Sequence, residues 1–448
     1  MKNVSVVVLA AGIGTRMISS ISKVMHNLSG KPIIRWVIDS VLSINPNIVV
    51  VVVNRANSNI IKKLLSDTNV KFVYQKEQLG SADAAMKAEK ILKNKSDYIL
   101  IVNGDTPLID KIILNSLINK TIKTNSSLTL LSSILRNPYG YGRIIKKNGI
   151  LKNIVEEVNA TEKEKEINEI NSGIYCFDKN VWNYLKNVKQ NNIKKEYYLT
   201  DVIPILKKKK KKISLFVYNK YETIGINTRI DLLNAERELK IKKIYNLINS
   251  GVNIIDINNV YISNDAKIGK DTIIYPGVFI DIGVSIGEKC VIKGYSYLIN
   301  SKIGYNNTII YSYIEGSIIK NKVTVGPFAH IRHGTVLSEN VKIGNFSEIK
   351  NSKVKEKSKI NHLSYIGDSK IGKNVNIGAG TITCNYDGKK KNKTIIGQKS
   401  FIGSNVNLVA PIKIGENVFI AAGSTVTKNV PSNKFTISRP KQKIKQKK

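Results

Sequence analysis

From residue 268 onward, aliphatic side chains recur every six positions. Ile268, Ile274, Ile280, Ile286, Ile292 and Leu298 form the first run. The beat returns at Val325, Ile331, Leu337, Ile343 and Ile349, at Val354, Ile360 and Ile366, and from Ile396 through Ile402, Leu408, Ile414 and Ile420 to Val426. An amphipathic helix repeats at about 3.6 residues and a half-buried strand at about 2, so neither produces this pattern. A sustained six-residue period marks a hexapeptide β-helix. Each short strand directs one aliphatic side chain inward, and glycine or another small residue turns the corner. Stacked coils then bury a continuous prism that no single repeat could stabilise. Slips after Leu298 and between Thr383 and Ile395 mark corners, or loops leaving the wall.

The first half of the chain obeys a different rule. Val4 to Ala11 is a continuous apolar, largely β-branched run, as in a strand buried on both faces, and Val49 to Val53 and Tyr98 to Val102 repeat it. Helical stretches such as Ala82 to Lys93 lie between them. The alternation predicts an α/β domain with a largely parallel sheet, whose ligands bind beyond the carboxyl ends of the strands. Gly12, Gly14 and Asp105 fall there. Leu232, Leu233, Leu239, Ile241, Ile244, Leu247 and Ile248, spread among charges and bounded by Gly251, predict a long linker helix. The expected domains are therefore residues 1–227, a linker helix over 228–249, and a repeat domain over 250–448.

Composition narrows the class. A chain of 448 residues exceeds a single core. No run of about 18 apolar residues exists, so no membrane span is expected. Val4 to Ala11 follows Lys2 but runs straight into Gly12-Ile13-Gly14-Thr15-Arg16 with no cleavage-type ending, so it reads as a strand rather than a signal peptide. Cys176, Cys290 and Cys384 are far apart and odd in number, which fits a reducing cytoplasm rather than a disulfide framework or a metal-binding pair. The net charge of +38 raises nucleic-acid binding. Lysines are dispersed, however, with runs only at Lys207 to Lys212, Lys389 to Lys393 and beyond Arg439, and no nucleic-acid module accompanies them. The charge reads as a bias of the whole chain toward Lys, Asn and Ile, helpful at most for attracting phosphate-bearing substrates.

A bare Gly12-Ile13-Gly14 is weak, lacking the third glycine of a dinucleotide fingerprint. The full string Leu9-Ala10-Ala11-Gly12-Ile13-Gly14-Thr15-Arg16-Met17, with Lys23 after it, resembles the nucleotide-sugar pyrophosphorylases. Glycines admit backbone amides to a triphosphate, and Arg16 and Lys23 supply positive charge. Asp105 at a strand end suits Mg²⁺, which favours carboxylate oxygen beside substrate phosphates. Gln75 to Ser81, Tyr141 to Ile144, Ile154 to Glu156, Asn171 to Gly173, Glu196 to Asp201 and Gly225 to Asn227 extend the likeness in order. In the second half, His362-Leu363-Ser364-Tyr365 and the string Asn374 to Gly388 carry a further resemblance. Together the halves resemble the bifunctional N-acetylglucosamine-1-phosphate uridyltransferase and glucosamine-1-phosphate acetyltransferase family, over almost all of Val4 to Arg439.

That resemblance implies a Rossmann-like nucleotidyltransferase domain, the linker helix, and an all-β left-handed parallel β-helix that assembles as a homotrimer. It implies acetyl transfer from acetyl-CoA to glucosamine 1-phosphate, then joining of N-acetylglucosamine 1-phosphate to UTP with release of pyrophosphate. The product, UDP-N-acetylglucosamine, feeds bacterial envelope polymers. His362 matches the family's catalytic base. Arg332, Lys350, Tyr365 and Asn376 match sugar-phosphate contacts, and Ala379, Asn385, Tyr386, Ser404, Ala422 and Arg439 the acetyl-CoA side. In the first half Leu9, Ala10, Ala11, Gly12, Arg16, Lys23, Gln75, Gly80, Ser81, Asn103, Gly104, Asp105, Gly142, Glu156, Asn171 and Asn227 match substrate-binding positions. Asp105 and Asn227 match the Mg²⁺ ligands.

The chain departs from the family's usual pattern at Ile13, where a lysine is common, at Ser22 for proline, and at Ser81 for threonine. It departs also at Asn103 for tyrosine, at Glu157-Val158 for a His-Lys pair, and at His333 for proline. Most of these fall on the uridyltransfer half, so the alternative is an acetyltransferase whose uridyltransferase half is weakened.

Overall fold

The computed structural model describes residues 3–190, 195–218 and 223–447, and the chain divides into two compact units, Met1–Leu239 and Lys240–Lys448. The division falls inside the helix Arg229–Asn249.

The first unit is built on seven strands: β1 Val4–Leu9, β2 Val49–Val53, β3 Lys71–Tyr74, β4 Tyr98–Asn103, β5 Leu128–Ile134, β6 Glu169–Asp178 and β7 Ile213–Val217. Their order is β7-β5-β6-β4-β1-β2-β3. All neighbours are parallel except β6, which runs antiparallel to β4 and β5. A hairpin, Arg143–Lys147 and Ile150–Val155, is attached through Arg143 and Ile170. Alternation on a sheet buried on both faces explains the unbroken apolar runs. Val6, Val8, Val51 and Leu100 pack on Ile34, Val37 and Ile38 of the helix Ile33–Ser43, while Val7, Val50 and Ile101 join Ala85 and Ala88 on the other face. The chain runs from β1 through β2 to β3 on one side and returns to β4 on the other side of β1, so a crevice opens beyond the carboxyl end of β1.

The stretch expected as one helical element, Ala82 to Lys93, resolves into Ser81–Met86 and Glu89–Leu92. Lys87 and Ala88 donate to carbonyls three residues back (3.2 and 3.0 Å), the tighter turn that interrupts the α-helix. A 21-residue helix runs over Arg229–Asn249. Thr228 and Asp231 cap its start reciprocally, at 3.1 and 2.8 Å, and Gly251, at φ +91°, ends it as Val252 N–H bonds Leu247 O at 3.0 Å.

The second unit is a parallel β-helix. Three sheets of eleven, ten and nine short strands each take one strand per coil. Ile274, Ile292, Ile309, Val325, Ile343, Ile360, Ile377 and Ile402 stack inward along one sheet, and Ile280, Leu298, Ile314, Ile331, Ile349 and Ile366 along the next. All are essentially inaccessible to solvent, and each buried isoleucine stabilises by about 1.5–3 kcal/mol. The slip after Leu298 is a shortened corner at Asn300, and the slip after Thr383 is a loop that leaves the wall between Ile377 and its partner Ile402.

The corners correct one expectation. Glycine and small residues turn some of them, but one column is turned by Asp271, Lys289, Asn306, Lys322, Asn340, Lys357, Asn374, Lys399, Asn417 and Asn433, at φ of 52–61°. Each is held by a backbone bond to the neighbouring coil, such as Lys289 N–H to Lys270 O at 3.1 Å. Asparagine tolerates this conformation, and the repeated interstrand bond holds lysine in it as well. Among the described residues no helix is long and apolar enough to cross a membrane.

Candidate active sites

In the first unit, the crevice beyond β1 and β4 holds a cleft of about 400 Å³. Leu9, Ala10, Ala11 and Gly12 form one wall, and Lys23, Gln75, Gly80, Ser81, Asn103 and Asp105 complete much of the rest. A smaller adjoining cleft of about 180 Å³ is lined by Gly142, Glu156, Asn171, Thr200 and Asn227. Ser81, Asn103 and Asp105 line both. Gly104 lies between the last two, its N–H bonded to Leu9 O at 2.8 Å. Gly80 has to be glycine: at φ +103°, a Cβ would lie 2.5 Å from Tyr197 O and 2.7 Å from Tyr197 N. It opens the helix Ser81–Met86, where Ser81 Oγ accepts Leu199 N–H at 2.9 Å. Gln75 Nε2 donates to Gly80 O and Asp83, at 3.0 and 2.9 Å. Thr200 Oγ1 donates to Glu156 at 3.0 Å, and Asn171 Nδ2 to Tyr175 Oη at 2.5 Å. Burial and the charge of Glu156 push the Tyr175 hydroxyl up, and burial raises the Asp201 carboxyl.

The charged centre of this cleft is compact. Lys23 Nζ is in contact with Asp105 Oδ2 and lies 3.1 Å from Asn227 Oδ1, which Arg16 also reaches at 3.0 Å. Lys23 and Asp105 are only 14% and 15% exposed. The carboxylate and the amide oxygen thus converge on a cation. Two hard oxygen donors, with room left for substrate oxygens, fit Mg²⁺. Among the described residues there is no cluster of three or more His, Cys, Asp or Glu that could hold a metal by itself.

Two departures acquire physical accounts. Glu157 pairs with the buried Arg143 at 2.8 Å and accepts Gly140 N–H at 2.9 Å, so it fastens the hairpin beside the smaller cleft. Asn103 fills the space over Gly173, where a Cβ would meet its Nδ2 at 2.0 Å. Ser22 Oγ accepts from Asn57 at 3.3 Å, and Ile13 is exposed.

In the second unit, His362 ends the strand Lys359–His362 and stands in register with Asn345 of the preceding coil. Its ring is exposed, and Nδ1 lies 2.7 Å from Asn345 Oδ1. An amide oxygen only accepts, so Nδ1 donates the hydrogen, and in the neutral ring Nε2 keeps its lone pair. Arg332, Lys350 and Gly367 occupy one rung position on three successive coils. Arg332 pairs with Glu348 at 2.7 Å, which raises its affinity for the proton. Lys350 is pushed below its ordinary range, chiefly by a side-chain contact from Lys391, then by desolvation and the charges of Lys391 and Arg332. Tyr365 Oη receives a 3.5 Å contact from Asn385 Nδ2, which also donates to Asp368 at 2.5 Å. Asn376 sits on the outer face of the sheet that bears Lys359. Ala379, Ser404 and Ala422 belong to successive coils, joined by Asn405 N–H to Ala379 O at 2.7 Å and Gly423 N–H to Ser404 O at 2.8 Å. Arg439 Nη1 bonds Ala422 O at 2.9 Å, and the exposed Tyr386 starts the loop that leaves the wall.

Residues 5–235 match the Nucleotidyl transferase family, residues 256–354 the GMPPB C-terminal domain, and residues 393–428 the Bacterial transferase hexapeptide (six repeats) family. The chain is 47% identical to the bifunctional protein GlmU of Caldicellulosiruptor saccharolyticus over 99% of its own length and 97% of that protein's. It is 46% identical to the bifunctional protein GlmU of Thermoanaerobacter pseudethanolicus over 100% and 97%, and 43% identical to that of Clostridium beijerinckii over 97% and 96%. The chain belongs to the bifunctional GlmU family. As a GlmU-family member it combines a nucleotidyltransferase unit with a hexapeptide-repeat unit, a left-handed parallel β-helix.

Sequence reasoning about this GlmU-family chain passed over Asn345, Asp368 and Lys391. Asn345 and Asp368 lie one coil before His362 and Asn385, so the register of the repeat was the signal. Lys391 was hidden inside a lysine run read as bias.

Proposed function

We propose that the two units catalyse consecutive reactions that make UDP-N-acetylglucosamine. The second unit transfers acetyl from acetyl-CoA to the amine of glucosamine 1-phosphate. The first then joins N-acetylglucosamine 1-phosphate to UTP and releases pyrophosphate. Supporting this reading above all is the pair His362–Asn345 at the edge of one sheet of the prism, one corner before the strand Tyr365–Gly367 that pairs with the strand of Lys350 on the next sheet.

In acetyl transfer, His362 Nε2 takes the proton as the substrate amine attacks the thioester carbonyl, and the CoA thiol leaves. Arg332 and Lys350 receive the sugar phosphate, with Tyr365 and Asn376 on the sugar. Ala379, Asn385, Tyr386, Ser404, Ala422 and Arg439 form the acetyl-CoA side, where small residues admit the pantetheine arm. His362 and its neighbours lie on an open face of the wall, which agrees with a site completed by other subunits of a homotrimer.

In uridylyl transfer, the larger cleft takes UTP and the smaller one the sugar. Leu9, Ala10, Ala11, Gly12, Gln75, Gly80 and Ser81 hold the nucleotide. Gly142, Glu156 and Asn171 hold the sugar, and Asn103 and Gly104 stand between. Arg16 and Lys23 neutralise the triphosphate as the sugar phosphate oxygen attacks the α-phosphorus. Asp105 and Asn227 would hold Mg²⁺, which when bound offsets charge on the phosphates. Three free thiols, Cys176, Cys290 and Cys384, accord with a cytoplasmic enzyme.

A coupled assay from glucosamine 1-phosphate, acetyl-CoA, UTP and Mg²⁺ tests the whole, and each half is assayed alone. Failure to form UDP-N-acetylglucosamine from N-acetylglucosamine 1-phosphate would sink the uridyltransferase assignment and leave an acetyltransferase. His362→Ala is expected to cut acetyl transfer by about 10²–10⁴-fold and to spare uridylyl transfer; loss of both activities, or of neither, contradicts the assignment.

A further inference from the structure

The loop that leaves the prism after Asn385 is organised by a side chain the reactions above do not use. Asp387 Oδ1 accepts the backbone N–H groups of Lys389 and Lys390, at 2.9 and 2.8 Å, and its Oδ2 accepts Asn392 Nδ2 at 2.8 Å. Asp387 N–H returns to Lys390 O at 3.3 Å, and Asn392 N–H closes on Asn385 O at 2.7 Å. Between these ties Tyr386 and Lys391 pair as an isolated antiparallel bridge. The loop is thereby a small closed turn, and its closure fixes where Lys391 points. There the Lys391 side chain meets Lys350, whose ammonium feels the charges of Lys391 and Arg332 more strongly than the opposing charge of Asp368. Like charges so placed repel, and a dianionic phosphate is the ligand that relieves them.

We propose that Asp387 is a positioning residue for acetyl transfer: it folds the Asn385–Lys393 loop so that Lys391 stands beside Lys350 to meet the phosphate of the sugar substrate. The proposal rests on the acetyltransferase reading of this unit. The same three contacts hold the Asp387 carboxyl down to about 2, so it is a charged acceptor at any working pH. Because Asp387 reaches the sugar phosphate through Lys391, its loss weakens binding of glucosamine 1-phosphate, and because Tyr386 pairs with Lys391 in the same loop it also loosens the acetyl-CoA side, while the His362–Asn345 pair is left alone.

A double-mutant cycle decides this, with the full-length Asp387→Ala, Lys391→Ala and combined variants assayed for both activities. Uridylyl transfer by the same preparations reports that the chain is folded. Asp387→Ala is expected to raise KM for glucosamine 1-phosphate about tenfold, the loss of one charge-assisted contact, with kcat within about twofold. Lys391→Ala should do the same, and the combined variant should be no worse than Lys391→Ala, because residues acting through one another are not additive. Asn392→Ala, which removes only the Oδ2 contact, is expected to move KM in the same direction by less. Effects of the two single variants that multiply, or an Asp387→Ala variant that loses kcat with KM unmoved, would overturn the proposal while leaving the acetyltransferase reading intact. A wild-type chain without acetyl transfer would overturn that reading and this proposal with it.

Discussion

Gly367 is the position where a single methyl group would test the geometry of the acetyl-transfer wall. It shares a rung with Arg332 and Lys350, but where those rungs carry cations, the absence of a side chain leaves room for two neighbours. A Cβ there would lie 2.5 Å from Tyr365 Oη, 2.7 Å from Asn385 Nδ2 and 2.8 Å from Tyr365 Cζ. The backbone cannot yield, because Gly367 N–H is bonded to Thr383 Oγ1 at 2.8 Å and the coil is in register on both sides. Ordinary contact is about 3.5 Å, so the two side-chain tips must each retreat by roughly 1 Å. Overpacking of this kind costs about 1–3 kcal/mol. If that cost falls on the transition state, Gly367→Ala lowers kcat/KM for acetyl transfer roughly 5- to 150-fold. The thiol released from acetyl-CoA gives the rate, and pyrophosphate release by the same sample gives the uridylyl rate, which should not change. An unchanged kcat/KM for acetyl transfer would refute the placement of Tyr365 and Asn385 against one another. A parallel fall in both activities would refute the independence of the two sites.

Three further outcomes follow from the same contacts. Asn345→Ala frees the His362 ring to take either tautomer and should lower kcat for acetyl transfer about tenfold, while KM for acetyl-CoA is unchanged in initial-rate measurements. Lys23→Met removes the ammonium that now occupies Asp105 and Asn227, so Mn²⁺ alone should bind the free protein more tightly in equilibrium dialysis, while uridylyl transfer falls by about 10²-fold; Mn²⁺ affinity equal to or below wild type would contradict the arrangement. The Asp387 carboxyl titrates at about 2, below its ordinary 3.8. The loop closure it supports should therefore be complete above the ordinary value and be lost as pH falls from there through about 2, which the amide resonances of Lys389 and Lys390 would report.

The prism could be read from the sequence because one inward aliphatic residue per strand is its whole packing rule, and nothing in a helix or an ordinary sheet imitates it. Its corners could not be read the same way. The left-handed conformation at Lys289 or Lys357 is held by a bond to the preceding coil, which a local rule favouring glycine does not contain. Three parallel strands of the first unit, β1, β2 and β4, were visible as apolar runs, whereas the parallel β3, β5 and β7 and the antiparallel β6, Glu169–Asp178, have no comparable mark. For the sites the division is similar. Glycine turns and strand ends, as at Gly12, Gly80 and Asp105, announce themselves locally. Asn345 and Asp368 matter only because a coil brings them beneath His362 and Asn385, and that follows from register rather than from residue type.

Stacking at one coil per step turns the β-helix into a measuring stick. Neighbouring strands are about 4.8 Å apart, so Arg332 and Lys350 are held one division apart and the rung of Gly367 one division further. Loss or gain of a complete coil before Ile280 would slide this graduated stretch along without altering any spacing within it. The same event between Arg332 and Lys350 would separate the two cations by a further division and leave them too far apart for one phosphate. Tolerance to whole-coil insertions should therefore be high in the opening coils and absent across residues 332–385, a pattern that belongs to the ladder itself and not to any single side chain on it.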